Sequence, residues 1–153
     1  MTSTPTRIQR RRTKGWTLAG AADPIRGGKI VDRSSRYGNP CKVGLMREMG
    51  YEDPHDAATG NFRVWLAGSR SDAPTDEADQ RRERILASLH ELRGKDLACT
   101  CPLDRACHGD VLLHRANMPP AELAQWITVV RARVDRQRIA RGEQPMYAEG
   151  AGS

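Results

Sequence analysis

Residues 96–114 concentrate the side chains that could do chemistry. This window holds three of the four cysteines and two of the four histidines. The apolar run 97–99 predicts the end of a buried strand, residues 102–104 predict a turn, and Cys107-His108 opens an apolar-periodic segment typical of a helix. A short strand-to-helix loop receives backbone N–H groups and the positive end of the helix dipole, which favours an anion. A thiol placed there is expected to have a lowered pKa and to be reactive.

One interpretation of this window is nucleophilic or acid–base catalysis. Cys101 or Cys107 would supply the thiolate, and His108 would act as base or proton shuttle. Asp104 or Asp110 would orient the imidazole. The plainer alternative is structural, with the cysteines filling the core and capping the turn while the histidine hydrogen-bonds a carbonyl.

A metal site is the second chemical interpretation. Cys99, Cys101, Cys107 and His108 provide the donor atoms of a Cys3His zinc site. Cys99 and Cys101 are two residues apart in an extended segment, so both side chains should point to the same face. Adjacent side chains at the start of a helix are expected to diverge, which counts against Cys107 and His108 sharing one ion. Zinc is therefore a possible cofactor, while Cys41 is expected to be a buried filler.

A second motif, residues 33–40, is too rich in turn formers to be a helix or strand. Guanidinium groups suit phosphate, an aromatic ring can stack on a base, and an amide can recognise a base edge or fix the loop. An ordinary hairpin or Asx-turn is the alternative. The candidate ligand-binding residues of this loop are Arg33, Ser35, Arg36, Tyr37 and Asn39.

The charge balance favours an anionic partner. The chain has 25 lysines and arginines against 19 acidic residues, a formal net charge of +6. Nucleotides and nucleic acids are the commonest partners of such surfaces. A host protein is another possible partner, and a solvated basic surface without a partner remains an alternative. A basic arm near the N-terminus could follow a phosphate backbone, through Arg10, Arg11, Arg12 and Lys14.

Length and composition limit the class of protein. The chain has 153 residues, the size of one domain with tails. It has no apolar run of about 20 residues of the kind that a membrane span needs. The arginine-rich N-terminus is not followed by the apolar stretch of a signal peptide. We expect a cytoplasmic protein, in which clustered cysteines serve as ligands, catalytic groups or core residues rather than as disulfides.

The order of elements predicts a small α/β fold, a layered sheet with flanking helices. Strands are expected at 7–13, at 29–32 and at 97–99. The strand at 7–13 is expected at an edge of the sheet, with its charges facing water. Turns are expected at 19–28. Helices are expected after an N-cap at Asp56, from Thr75 to Gly94, from Cys107, and after the proline pair 119–120.

These elements divide the chain into four parts. Residues 1–6 are expected to be a disordered tail, and residues 7–117 form the α/β domain. Residues 118–142 add a C-terminal amphipathic helix, and residues 143–153 form a flexible tail.

Three segments resemble, in the same order, a small family of bacteria and their phages known as domain of unknown function 4326. They are residues 12–16, residues 31–40, and residues 94–102 continuing to Cys107-His-Gly-Asp-Val-Leu-Leu. The resemblance covers about residues 7–117 and departs at Thr100 and Cys41, where the family tends to have an aromatic residue and phenylalanine. The spacing from Cys99 to His108 is also similar to the strand–loop–helix motif of domain of unknown function 488. These resemblances imply no established activity. They are compatible with an enzyme that transfers or hydrolyses at a nucleotide sugar or base, or with a zinc-stabilised binding module.

Overall fold

A computed structural model describes residues 4–148 of the chain. Three parallel strands, β1 (Arg7–Gln9), β2 (Gly28–Ile30) and β3 (Asp96–Cys99), form a sheet in the order β1-β3-β2. Ile8 and Ile30 lie on either side of Ala98. Every residue of the central strand β3 is buried, as expected for a parallel strand with neighbours on both sides. The predicted small α/β fold is confirmed.

Helices surround this sheet. Between β1 and β3 lie α1 (Leu18–Ala21), α2 (Val43–Glu48), α3 (Pro54–Leu66) and α4 (Asp76–Ser88), the last continued by a 3₁₀ turn at Leu89–Leu92. After β3 come α5 (His108–Ala116) and α6 (Pro120–Ala140). The short α1 lies where turns were expected, because four residues are too few to show a helical period.

The first residues of α3 and α4 are set by N-cap side chains close in sequence. Thr75 is the N-cap of α4, and its side chain accepts a hydrogen bond from the Ala78 N–H. For α3 the N-cap is Asp53, whose carboxylate accepts from the N–H of Asp56. The expected N-cap at Asp56 was therefore wrong by three residues: Pro54, which suits a first helical position, allows the helix to begin earlier.

The core lies between β3 and the helices α3, α4 and α5. Its fully buried apolar side chains include Phe62, Leu66, Ile85, Leu89, Leu97 and Leu112. Because the three strands are parallel, their carboxyl ends share one edge of the sheet, where ligands usually bind in open α/β sheets. Arg10 follows β1, Val31 follows β2 and Cys99 ends β3. This edge brings the predicted motifs together.

Buried charges attach α6 to the rest of the domain. The Asp79 carboxylate is fully buried and pairs with Arg70 at 2.9 Å, Arg82 at 2.9 Å and Arg138 at 2.7 Å. Glu143 binds the other side of Arg70 at 3.0 Å.

The two expected tails are ordered where the structure describes them. Asp135 accepts hydrogen bonds from the backbone N–H groups of Met146 and Tyr147. The expectation of a flexible tail was therefore wrong for residues 143–148, and residues 149–153 lie outside the described part. At the other end, the Thr6 N–H donates to Asp96 at 3.0 Å, so Thr6 is not part of a loose tail. Residues 1–3 lie outside the described part.

Within residues 4–148, no helix combines the length and apolarity that crossing a membrane would need. All four cysteines are free thiols.

Candidate metal and ligand site

The corner between β3 and α5 has the predicted strand–loop–helix form. Cys99 ends β3, Cys107 is the N-cap of α5, and His108 is the first helical residue. The Cys107 sulfur accepts from the Gly109 N–H at 3.4 Å, and the Asp110 carboxylate accepts from the Cys107 N–H at 3.3 Å. The helix therefore begins in a reciprocal capping box in which the thiol of Cys107 takes the N-cap position usually held by a serine or threonine hydroxyl.

Three sulfur atoms converge at this corner. The Sγ atoms of Cys99, Cys101 and Cys107 all lie within 4.8 Å of one another, so the three cysteines could hold a metal ion. Cys99 and Cys101 point to the same face, as predicted, with their sulfurs 3.8 Å apart. In a tetrahedral zinc site with Zn–S bonds of about 2.3 Å, two sulfurs are separated by about 3.8 Å.

His108 lies against this cluster, contrary to expectation. Its Nδ1 is 3.6 Å from the Cys107 sulfur, close to the sulfur–nitrogen separation of about 3.6 Å in a tetrahedral zinc site. The two side chains do not diverge, because Cys107 has extended backbone angles (φ −149°, ψ 146°) while His108 is already helical. His108 is nevertheless not a member of the group whose donor atoms are all within 4.8 Å, in agreement with the expectation that it would not readily share one ion with Cys107.

The Val31 carbonyl fixes the orientation of the imidazole. His108 Nε2 lies 2.6 Å from this oxygen, and Phe62 contacts the ring edge-on at a centroid distance of 5.2 Å. A carbonyl oxygen can only accept, so Nε2 carries the proton and Nδ1 presents its lone pair to the sulfurs. A histidine held in this way can accept a proton or bind a metal.

Asp110 does not orient the imidazole; its partners are the Cys107 backbone and Arg7. The Arg7 Nε donates to the Asp110 carboxylate at 3.0 Å, and its Nη2 donates to the Arg105 carbonyl at 2.7 Å. Weaker bonds reach the carbonyls of residues 101, 102 and 103 at 3.3–3.4 Å. The Arg7 side chain is only 7% exposed. Arg7 therefore holds the cysteine loop, rather than facing water as the strand pattern suggested.

Replacing Arg7 with glutamine is expected to weaken metal binding by the cysteines about 10- to 100-fold, the usual effect of losing a group that supports metal ligands. A competition titration with a chromogenic chelator measures this change. Arg11 is the matched control, because it is an exposed neighbour that donates to the Gln9 side chain at 3.2 Å and does not contact the cysteine loop within the described residues. Equal affinities for the Arg7→Gln and Arg11→Gln variants would contradict the role assigned to Arg7.

The three thiols of the cluster differ in the direction in which their pKa values are shifted. A hydrogen bond from Cys101 is the main cause of a lowered pKa for Cys99, and Cys107 adds to it. Hydrogen bonding with Cys101, then with Cys99, raises the pKa of Cys107. The bond with Cys107 lowers the pKa of Cys101, but its bond to Cys99 and its burial outweigh this and raise it to about 11. The helix-capping thiol was expected to have the lowered pKa, but Cys99 has it instead.

The cluster lies in a cavity of about 1370 Å³. Three of its walls come from the segments that follow β1 and β2 and from the start of α3. Its basic lining residues are Arg10, Arg11, Arg12, Arg33 and Lys42, against the two carboxylates of Asp32 and Glu48. Asp32 is already paired with Arg10 at 2.9 Å. The cavity therefore combines the thiols and His108 with an excess of positive charge.

The loop at 33–40 contributes less to this cavity than predicted. Arg33 lines it, whereas Arg36 is exposed and does not. Tyr37 is 6% exposed and its hydroxyl donates to the Ser88 carbonyl at 3.0 Å, so its ring is not available to stack on a base. Ser35 donates its hydroxyl to the Asp32 carbonyl at 2.8 Å.

Asn39 lines the cavity, and both the nitrogen and the oxygen of its amide are bonded within the protein. Its Nδ2 donates to the Ala58 carbonyl at 2.9 Å, and its Oδ1 accepts from the Cys41 N–H at 2.9 Å. Of the two roles considered for Asn39, the structure therefore shows the one that fixes the loop. Cys41 is half-buried and lines the cavity, apart from the sulfur cluster.

The predicted basic arm near the N-terminus also lines the cavity only in part. Arg10, Arg11 and Arg12 line the cavity, whereas Lys14 is exposed and does not.

The lining residues that the sequence did not predict include Lys42, Trp16 and His55. The basic run directly before Trp16 was an available signal, since aromatic residues beside arginines are typical of nucleic-acid surfaces. His55 Nδ1 is buried without a hydrogen-bond partner among residues 4–148. Burial lowers the pKa of His55, and the nearby charges of Arg47 and Arg105 lower it further.

The fold and the site together define a small α/β domain whose central parallel strand ends in a cysteine cluster beneath a cationic cavity. Residues 8–118 match the family model described as domain of unknown function DUF4326, and the chain belongs to that family. The predicted resemblance is thereby confirmed, and α6 begins at Pro120, beyond the match. No curated protein and no solved structure matches the chain. The description of the family assigns no activity, so any functional argument depends on the site.

Proposed function

We propose that the protein is an enzyme that binds a nucleotide or a nucleic-acid strand in the cationic cavity and carries out transfer or hydrolysis at its sugar or base. The observation that carries this proposal is that one cavity is lined both by the arginines and by the cysteine–histidine cluster. An anion bound by the arginines would lie close to the reactive groups of the cysteine–histidine cluster.

Arg12, Arg33 and Lys42 are the groups best suited to bind the anion. None of these cations forms an ion pair within the part of the chain that the structure describes. Their charges are therefore available for a ligand, unlike that of Arg10, which Asp32 neutralises. Guanidinium groups bind phosphate oxygens with two parallel hydrogen bonds, which gives geometric selectivity as well as affinity.

Cys101, Cys107 and His108 are the candidate reactive groups. Cys101 is the one partly exposed residue of the sulfur cluster, since Cys99 and Cys107 are buried. A ligand in the cavity would therefore meet the Cys101 thiol first. His108 presents the lone pair of Nδ1 to the cluster and could accept a thiol proton. The candidate nucleophile is thus Cys101, and because its pKa is raised to about 11 it would need a base to take its proton.

Substituting Arg33 with alanine is expected to weaken binding of a nucleoside monophosphate about 10- to 100-fold, since a hydrogen bond to a charged group contributes about 1.5–3 kcal/mol. Isothermal titration calorimetry measures the affinity. Arg36→Ala is the matched control, because Arg36 belongs to the same loop but is exposed outside the cavity. If the two variants bind equally well, Arg33 does not contact the ligand.

A zinc-stabilised, non-catalytic module that binds DNA or a protein is the second candidate. The sulfur cluster favours it: the sulfurs of Cys99, Cys101 and Cys107 all lie within 4.8 Å of one another, and those of Cys99 and Cys101 are 3.8 Å apart, the edge length of a tetrahedral zinc site. Because structural zinc is coupled to folding, chelation would then unfold the domain. A preparation that is fully folded without metal, and in which one cluster thiol alkylates rapidly at neutral pH, would exclude this candidate and favour the enzyme.

A further inference from the structure

We propose that Trp16 is the stacking platform for the base of the ligand, so that the cavity selects a nucleotide whose base is free of a duplex. This inference rests on the proposed binding function and narrows its ligand class. The ligand would be a free nucleotide or an unpaired nucleotide of a single strand, which have the same base, sugar and phosphate chemistry.

Trp16 differs from the other two tryptophans in its surroundings. The guanidinium of Arg82 lies 5.2 Å from the Trp65 ring, and that of Arg115 lies 4.3 Å from the Trp126 ring. Among residues 4–148, no ring or guanidinium contact is found for Trp16. Its indole is half-buried and lines the cavity. An aromatic face is therefore left for a ligand beside the basic segment 10–12.

The backbone holds Trp16 in place from both sides. Its N–H donates to the Thr13 carbonyl at 3.1 Å, closing a turn in which Gly15 has a φ of +89°. The next residue, Thr17, is the N-cap of α1 and accepts from the Gly20 N–H at 3.0 Å. A ring attached to an ordered segment loses little conformational entropy when a ligand binds.

Stacking on Trp16 would also supply the contact to the base that was expected from the loop at 33–40. Tyr37 is buried, so its ring cannot stack on a base, and the buried Asn39 amide is already bonded at both its nitrogen and its oxygen. Trp16 shares the cavity with Arg12 and Arg33, which provide for the phosphate. Pockets for small ligands usually measure about 300–1,000 Å³, so a cavity of about 1370 Å³ has room for a nucleotide and part of a neighbouring one.

The test compares ligands with and without a base. Calorimetry is used to titrate the full chain with adenosine monophosphate, ribose 5-phosphate, a single-stranded tetranucleotide and a DNA duplex. For Trp16→Leu we expect about 5- to 150-fold weaker binding of the base-containing single-stranded ligands, because stacking contributes about 1–3 kcal/mol per base and 1.4 kcal/mol corresponds to tenfold. Binding of ribose 5-phosphate should be unchanged. Tighter binding of the tetranucleotide than of adenosine monophosphate would identify a single strand as the ligand. Tighter binding of adenosine monophosphate would identify a free nucleotide as the ligand.

Two further variants keep the result interpretable if Trp16→Leu is unstable. Trp16→Phe retains an aromatic face and should keep most of the affinity, and Trp126→Phe, outside the cavity, should behave as wild type. Equal loss for adenosine monophosphate and ribose 5-phosphate, or tighter binding of the duplex than of the single strand, would overturn the role of Trp16. If no phosphate-bearing ligand binds the wild-type protein, the proposed function itself fails.

Discussion

If the cysteine cluster holds zinc, as the second candidate function requires, replacing Cys107 with serine is expected to remove the zinc and to lower the melting temperature by more than about 10 °C. Structural zinc contributes about 10–16 kcal/mol in zinc-finger peptides, and 1 kcal/mol shifts the melting temperature of a chain of about 150 residues by about 2–4 °C. Serine keeps an oxygen that can cap α5, as the Cys107 sulfur does for Gly109, so the loss of the cap is not the cause. Atomic absorption for zinc and differential scanning calorimetry measure the two effects.

Cys41→Ser is the matched control for this experiment. Cys41 is a free thiol of the same cavity, but its sulfur accepts from Asn61 Nδ2 at 3.3 Å and is outside the cluster. We expect this variant to retain zinc. If Cys107→Ser binds as much zinc as the wild type, the cluster is not the metal site. A wild-type protein without zinc whose stability is unaffected by chelators would favour the thiolate enzyme.

Replacing Asp79 with asparagine is expected to destabilise the domain by about 3–5 kcal/mol, the usual cost of removing one partner from a buried ion pair. The neutral amide has the same shape but leaves the guanidinium groups of Arg70, Arg82 and Arg138 without their shared buried carboxylate. Arg70 retains Glu143 and Arg138 retains Asp76, which limits the loss. Urea unfolding at neutral pH measures the free energy of unfolding.

The same carboxylate gives the stability of the domain a defined pH dependence. Burial acts to raise the pKa of Asp79, but hydrogen bonds from Arg82, Arg138 and Arg70 outweigh it and the pKa is lowered. A carboxyl group whose folded-state pKa is lowered stabilises the fold above its unfolded pKa of about 3.9, and this stabilisation is lost as the pH falls through the folded-state value. We expect the wild-type protein to lose stability in that acidic range and Asp79→Asn to lose less.

Asp76→Asn provides the comparison for Asp79→Asn. The Asp76 side chain is 70% exposed, and within residues 4–148 its ion pair is with Arg138 alone, so a change of less than about 1 kcal/mol is expected. A similar effect of the two substitutions would contradict the importance given to the buried carboxylate.

Short-range patterns were sufficient for the corner that holds the thiols. The apolar run at 97–99 and the N-cap at Cys107 depend on neighbours within a few residues, and β3 and α5 have the predicted order. The same holds for the shared face of Cys99 and Cys101, which follows from the two-residue period of extended chain. The divergence expected of Cys107 and His108 failed because it ignored the change of backbone angles at a helix cap.

The roles of the loop at 33–40 depended on contacts that the chain makes much further along. Tyr37 bonds to Ser88 and Asn39 to Ala58, and each contact removes a side chain from the ligand-binding set. Arg33 and Arg36 have the same chemistry and differ only in which side of the loop faces the cavity. No local pattern distinguishes them, because the facing surface is formed by other segments.

The sequence by itself determined the α/β class, the strand–loop–helix corner and the residue types available for chemistry, because these depend on composition and on short-range periodicity. The family was recognisable from the resemblance of three motifs. The tertiary structure alone decided that the ends of three parallel strands bring Arg10, Val31 and Cys99 to one edge, and that Arg7, Arg33 and Trp16 take different roles. The physical reason is that burial and hydrogen-bond partners come from segments up to about one hundred residues apart, as the bond between Arg7 and the carbonyl of Arg105 illustrates.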